Sequence, residues 1–340
     1  MPRTEPHPMD FTRLPLSPQR WKYVLTSILA EHNWRHATKP KGVSHATMAD
    51  RRQFCFRIFT FLRDNPVKVY KLDPRSFSGR HVEMLMAHWR ALAGEGKLGA
   101  SSLQKYHSYL VTFSRWIDKP GLVKPLDAYF NEPSLIRRSY IATDSKAWRD
   151  RGVDVDAIIV TVEAYDARAA AALRLMAAFG LRFKEACMLR PHADVVTAAQ
   201  AGKPAGGPAL YLNTRRGTKG GRQRYVPIDD ERRQGAVDYA RTVAKGDDDS
   251  VSDPRLDLKQ AIRHLRYTME RFGITKAGLA VTPHGLRHQY AAQEYERLTG
   301  CLPPVAGGQG VASDLDHQAR MQVSQSLGHG RVQITKAYLA

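Results

Sequence analysis

Only one stretch of this chain alternates apolar with polar side chains. Nearly everywhere else apolar residues recur three and four apart, which commits the chain to helices. Asp50 to Arg63 places Phe54, Ile58, Phe61 and Leu62 on one face, with Arg51, Arg52, Arg57 and Arg63 largely elsewhere. His81 to Leu92 groups Val82, Leu85 and Trp89. Ser101 to Asp118 sets Leu103, Tyr106, Leu110, Phe113 and Ile117 against a polar side of Gln104, Lys105, His107, Ser108, Thr112 and Arg115. The pattern resumes over Val155 to Tyr165 and over the alanine-rich Ala167 to Phe179, which Gly180 ends. Asp230 to Ala244 and Leu258 to Phe272 continue it. The exception is Ala209 to Thr214, where Leu210 and Leu212 alternate with Tyr211 and Asn213. Arg222 to Ile228 reads as its partner strand, and the glycine-rich turn between them makes a hairpin. The expected fold is mainly α with a small antiparallel β-sheet.

Breaks in the pattern mark the expected domains. Residues 1–16 are polar and proline-rich and read as an irregular arm. Residues 17–120 read as a helical domain, stopped by Lys119-Pro120-Gly121. Residues 121–153, with Pro125 and Pro133, read as a linker, and 154–340 as a second domain. A chain of 340 residues is long enough for two cores.

Lys plus Arg number 52 against 33 Asp plus Glu, a formal charge of +19, which favours a polyanionic partner because each neutralised phosphate releases counterions. Cys55, Cys187 and Cys301 are scattered and unpaired in spacing, so they suggest neither a disulfide framework nor a zinc knuckle and fit a reducing cytosol. The N-terminus has no apolar leader, and no apolar run approaches the length of a membrane span. Asp247-Asp248-Asp249 reads as a solvated loop, since consecutive carboxylates do not converge on one ion.

Chemistry concentrates at the end of the chain. His284-Gly285-Leu286-Arg287-His288 is followed by Leu327-Gly328-His329 and, later, Tyr338. On a helix His284 and Arg287 project from neighbouring positions and suit one anionic group. A phenol with a reference pKa of about 10 needs nearby positive charge to act as a nucleophile at neutral pH. The order H-x-L-R-H, L-G-H and tyrosine resembles the second catalytic box of the tyrosine recombinases, the phage-integrase and Xer-like site-specific DNA recombinases. Upstream, Gly180-Leu181-Arg182-Phe183-Lys184-Glu185 resembles the family's first arginine box, and Gly217 to Ile228 its K-G-x-x-x-R-x-V-P hairpin. The resemblance covers roughly residues 155 to 340.

The resemblance implies a helical core-binding domain followed by an α+β catalytic domain. It implies DNA cleavage and rejoining through a 3′-phosphotyrosyl intermediate, with neither metal nor ATP and no cofactor. Tyr338 would be the nucleophile, Arg182 and Arg287 the clamps on the phosphate, and Glu185 the orienter of Arg182. Lys219 would protonate the leaving 5′-oxygen, His284 would assist proton transfer from Tyr338, and His329 would hydrogen-bond the phosphate. Lys105, His107, Arg115, Arg215, Arg216, Arg222 and Arg224 are the expected DNA contacts. Implied partners are double-stranded DNA, a homo-tetramer on paired sites formed from a chain mainly monomeric when free, and accessory DNA-bending proteins. No membrane is involved, and the implied setting is a prokaryotic cytoplasm, at the nucleoid.

Two departures stand out. The interval from Arg287 to His329 is longer than usual, with the excess in Leu298 to Asp314, expected as a loop between two helices. Only Leu339 and Ala340 follow Tyr338, where family members continue into a segment that docks on the next protomer. Competing readings are a type IB topoisomerase-like enzyme, disfavoured because the K-G-x-x-x-R-x-V-P and L-G-H patterns resemble integrases, and a catalytically idle DNA-binding protein, which has no need of six such polar positions. A metallohydrolase fails because His284 to His288 has the spacing of H-E-x-x-H without its glutamate.

Overall fold

The computed structural model describes residues 20–64 and 72–340; the arm expected over residues 1–16 lies outside them. The chain divides after Arg138 into two compact units. The first contains α1 (Trp21–His32), α2 (His45–Asp64), α3 (Gly79–Gly94), α4 (Ala100–Trp116) and the single turn α5 (Pro133–Ile136). On α2, Phe54, Ile58 and Leu62 are buried, as their spacing requires, but Phe59 is buried with them. Phe61 is only half-buried and lays its ring 4.3 Å from that of His88. Thr112, expected on the polar side of α4, is buried, because its hydroxyl donates to the Ser108 carbonyl at 2.8 Å and needs no water. α3 starts where Ser78 donates its backbone N–H to His81 Nδ1 at 2.9 Å.

The segment expected as a linker is not a free tether. Val123, Tyr129 and Phe130 are buried in the helical core of the first unit, and Arg90 donates to the Tyr129 carbonyl at 3.1 Å. Ala147 and Trp148 are fully buried in the second unit. Proline and glycine mark the turns correctly, while the apolar residues between them decide that the segment packs.

The second unit holds α6 (Val155–Glu163), α7 (Ala167–Phe179), α8 (Phe183–Met188), strands β1 (Val195–Thr197), β2 (Leu210–Thr214) and β3 (Arg224–Pro227), then α9 (Glu231–Val243), α10 (Leu258–Arg271), α11 (Pro283–Thr299), α12 (Ser313–Ser326) and α13 (Lys336–Leu339). α7 is its centre. Asp166 caps it by accepting from the Arg168 and Ala169 N–H groups, and every residue from Ala169 to Phe179 except Arg174 is buried. Its alanines let α6, α9 and α11 pack closely around it. The sheet is antiparallel in the order β1-β2-β3, with Leu212 opposite both Val195 and Val226. β1 is too short for alternation to show in the sequence. Pro283 opens α11, and Gly300, at φ 71°, closes it. The long interval is a loop, residues 300–312, with one 3-10 turn at Pro304–Ala306. Asp248 pairs with Arg190 and Asp249 accepts from the Gly246 N–H, so the acidic run closes a turn. Among the described residues no helix is long and apolar enough to cross a membrane.

Candidate active site

Arg287 lies on the buried side of α11 and is fully enclosed. Its Nη1 donates to the Gly180 carbonyl at the end of α7, and its Nη2 to the Leu327 carbonyl at 2.6 Å after α12. Nη2 also reaches His329 Nε2 at 3.2 Å, and Nε donates to the Tyr338 hydroxyl at 3.3 Å. One guanidinium thus ties together three chain segments far apart in sequence. Burial pushes its pKa down to about 10, against the pull of the adjacent Tyr338, so it stays charged at neutral pH. These partners are two carbonyls, an imidazole and a phenol, none of which carries a full negative charge. A buried cation in such company favours an incoming anion strongly.

The network also sets the proton arrangement. Arginine can only donate, so His329 must turn an Nε2 lone pair toward Arg287 and carry its proton on Nδ1. The Tyr338 hydroxyl lies 3.4 Å from the same Nε2. It accepts from Arg287 and has its own proton to give toward His329. Burial, then the charges of Arg287, Arg182, Arg224 and Arg222, lower the His329 pKa to about 4, so the ring is neutral and able to accept. The His284 ring centroid lies 6.3 Å from that of Tyr338, against 6.0 Å for His329.

His288, which did not figure among the expected site residues, is closer. Its buried ring lies 4.6 Å from the Tyr338 ring and meets His284 edge-on at 5.0 Å. Burial, ahead of His284, Lys146 and Arg287, lowers its pKa to about 3. The signal was present in the sequence, since His288 follows His284 by one helical turn on the same face. Gly285 between them allows the start of α11 to seat closely, because a Cβ there would stand 2.5 Å from the Lys146 carbonyl and 2.7 Å from the Trp148 ring. Trp148 in turn donates to the Thr282 carbonyl at 2.8 Å.

Arg182 caps α8, and Glu185 one turn on is completely buried. Glu185 accepts from Arg182 Nη1 at 2.6 Å, from the Arg182 backbone N–H at 2.8 Å and from Arg224 Nη2 at 2.7 Å. Burial alone would raise its pKa, but the Arg224 bond and charge, joined by Arg182, hold it down at about 2. Glu185 is therefore the anion that fixes two arginines, and a surface ion pair is the wrong description of it. Arg224, expected among DNA contacts, lies beneath the site instead of on the surface, because β3 turns it inward onto that carboxylate.

Lys219 stands exposed at the tip of the hairpin, in a 3-10 turn spanning Lys219–Gly221, outside the Arg287 network. The base of that loop is anchored, since a Cβ on Gly217 would meet the Lys184 carbonyl at 2.9 Å. Arg222 is exposed and donates to the His329 carbonyl at 3.0 Å, while Arg215 and Arg216 approach the buried Asp194 at 3.7 and 3.5 Å. On α4, Lys105 pairs with Asp50 at 3.1 Å, His107 meets the Lys124 carbonyl at 2.8 Å, and Arg115 is exposed beside the Ala37 carbonyl. Among the described residues no three His, Cys, Asp or Glu side chains converge as metal ligands.

Two buried or half-buried arginines fixed by one carboxylate and a set of carbonyls, with a tyrosine hydroxyl beside them, make a positively charged site suited to an anionic group. Residues 136–293 match the integrase family model, a span that holds Arg182, Lys219, His284 and Arg287. Over that span, a little under half of its length, the chain resembles the integrase family. It is similar in fold to lambda integrase (residues 75–356) solved as a dimer bound to a COC′ core site, with a TM-score of 0.57 and 15% identity over 93% of this chain and 95% of that one. A lambda integrase tetramer bound to a Holliday junction gives 0.55 and 16% identity over 93% and 75%. The Tn1549 transposon integrase (residues 82–397, Y379F) with transposon right-end DNA gives 0.50 and 14% identity over 93% and 95%. No curated protein sequence matches the chain.

Proposed function

We propose that this protein is a site-specific DNA recombinase that cuts and rejoins strands through a 3′-phosphotyrosyl intermediate, with Tyr338 as nucleophile. The observation that carries the reading is the Tyr338 hydroxyl between Arg287 Nε and His329 Nε2, at 3.3 and 3.4 Å. The Tyr338 oxygen attacks the scissile phosphorus, the new bond is P–O(Tyr338), and the P–O5′ bond breaks. The phenolic proton passes to His329, a neutral ring whose Nε2 is within 3.4 Å of the hydroxyl, a role expected of His284. Arg287 and Arg182 stabilise charge on the non-bridging oxygens, and Glu185 holds Arg182 in position. Lys219 reaches the leaving 5′-oxygen from the hairpin and protonates it. A 5′-hydroxyl of a partner strand then reverses the step. The phosphodiester bond energy is kept in the covalent intermediate, so the step requires no ATP and no metal.

Double-stranded DNA is the proposed partner, in agreement with the +19 charge and with the DNA complexes of the similar integrases. The test is a nicked duplex from the borders of the element that carries the gene, incubated with the protein in EDTA. A covalent protein–DNA adduct that survives denaturant is expected, with none formed by Tyr338→Phe. An adduct of equal yield from the phenylalanine variant would overturn the assignment.

A further inference from the structure

The loop at residues 300–312 closes on itself and leans on the helix that carries Tyr338. Ala306 and Gly307 donate their N–H groups to the Pro303 and Pro304 carbonyls at 2.9 Å, and Gly308 returns to the Pro303 carbonyl at 3.2 Å. The fold-back is tight enough that a Cβ on Gly308 would collide with the Leu302 carbonyl. Both ends of the loop are fastened. Thr299 Oγ1 accepts from the Cys301 N–H at 3.2 Å, while Tyr295 donates to Asp316 at 2.6 Å and Arg320 donates to the same carboxylate at 2.8 Å. Pro303 is buried, and Val311 packs against the core of the second unit, of which Tyr338 and Leu339 are part. The 3-10 turn Pro304–Ala306 lies directly against α13.

α13 needs such support. It is a single turn, Lys336–Leu339, following the 3-10 turn Val332–Thr335, and a helix that short has little stability of its own. Outside the Arg287 network it also rests on α11, where the His288 ring lies 4.6 Å from that of Tyr338, and the Ala142 N–H donates to the Lys336 carbonyl at 2.8 Å. Arg287 and His329 hold the Tyr338 hydroxyl through bonds of 3.3 and 3.4 Å, which grip the side chain and not the backbone. The backbone of α13 must therefore be positioned by what packs on it. The proline-bounded turn, with its φ angles preset, is a stiff surface for that purpose.

We propose that residues 300–312, through Pro304–Ala306, are a brace that holds the Tyr338 helix over Arg287 within the same chain. Its residues are positioning residues and touch no reacting atom. This goes beyond the recombinase reading, which needs Tyr338 in place but does not say what keeps it there.

The test uses the full chain with residues 302–308 replaced by a Gly/Ser stretch of equal length. Amide hydrogen exchange over residues 332–340 is expected to quicken by about tenfold or more while α7 and α11 keep their protection. On nicked duplex, the single-turnover rate of adduct formation is expected to fall by about tenfold at unchanged DNA affinity. A merely structural loop would lower protection in α11 and α12 and leave residues 332–340 no worse than they. If the replacement does not fold, P304G with V305G relaxes the same turn and is read by the same exchange. Unchanged exchange over residues 332–340 in a variant with native α11 protection overturns the brace. Quickened exchange with no adduct even from the unaltered chain would instead overturn the recombinase reading and leave the brace standing.

Discussion

His288 shows how a single buried group makes the site sensitive to acid. Its ring is 6% exposed and, lowered to about 3 chiefly by burial, stays neutral in the folded chain, whereas in the unfolded chain it binds a proton below its ordinary value of 6.5. Between those two values the unfolded state holds more protons, so stability falls as pH falls from 6.5 toward 3. At pH 5 this one group removes on the order of 2 kcal/mol. Denaturant unfolding of the wild type and of His288→Asn at pH 7 and pH 5 checks it. The wild type should lose more on acidification than the variant, and equal losses would show that His288 is solvated or paired when charged. Glu185 acts in the same sense at lower pH, because its folded-state value also lies below its ordinary one. Held at about 2, it contributes stability above its ordinary value of 4.5 that is lost only in stronger acid.

At the scale of elements, the site is built where α7, α11, α12 and α13 end or begin near one point, and Gly180 is the hinge of that arrangement. Its φ of 59° ends α7, and its carbonyl accepts from Arg287. A Cβ there would stand 2.5 Å from the Tyr290 ring and 3.0 Å from Leu327. Gly180→Ala therefore meets both left-handed strain and overpacking, and a loss of about 2–4 kcal/mol is expected. Chemical denaturation measures it. A loss under about 1 kcal/mol would mean that Tyr290 and Leu327 move aside freely. By contrast, Gly202 has a similarly positive φ of 64° with nothing near its Cβ, so alanine there meets the backbone term alone.

For the whole molecule, the excess of 19 positive charges opposes self-association and favours DNA. Light scattering in low salt without DNA should report about one chain, 38.2 kDa, and larger assemblies should form on duplex with paired sites. A stable DNA-free tetramer would contradict the expectation and point to an apolar interface strong enough to outweigh that repulsion.

The helices from Asp50 to Asp118, from Val155 to Phe179 and from Asp230 to Phe272, the hairpin and the stop at Gly180 were legible in the sequence, and Arg182, Glu185, Lys219, His284, Arg287, His329 and Tyr338 stood out there as candidates, because periodicity, capping chemistry and motif order are local properties. Which of those residues meet was not. Arg224 and Arg222 lie two apart in one basic run, yet β3 buries the first on Glu185 and leaves the second exposed. His329, not His284, stands beside the Tyr338 hydroxyl, and His288 joins them. The packing of Pro304–Ala306 on α13 had no signal in the chain at all. Side-chain type and spacing fix what a residue can do, while burial, the direction of each helix end and the choice of partner depend on contacts between segments distant in sequence, and these only the tertiary structure decides.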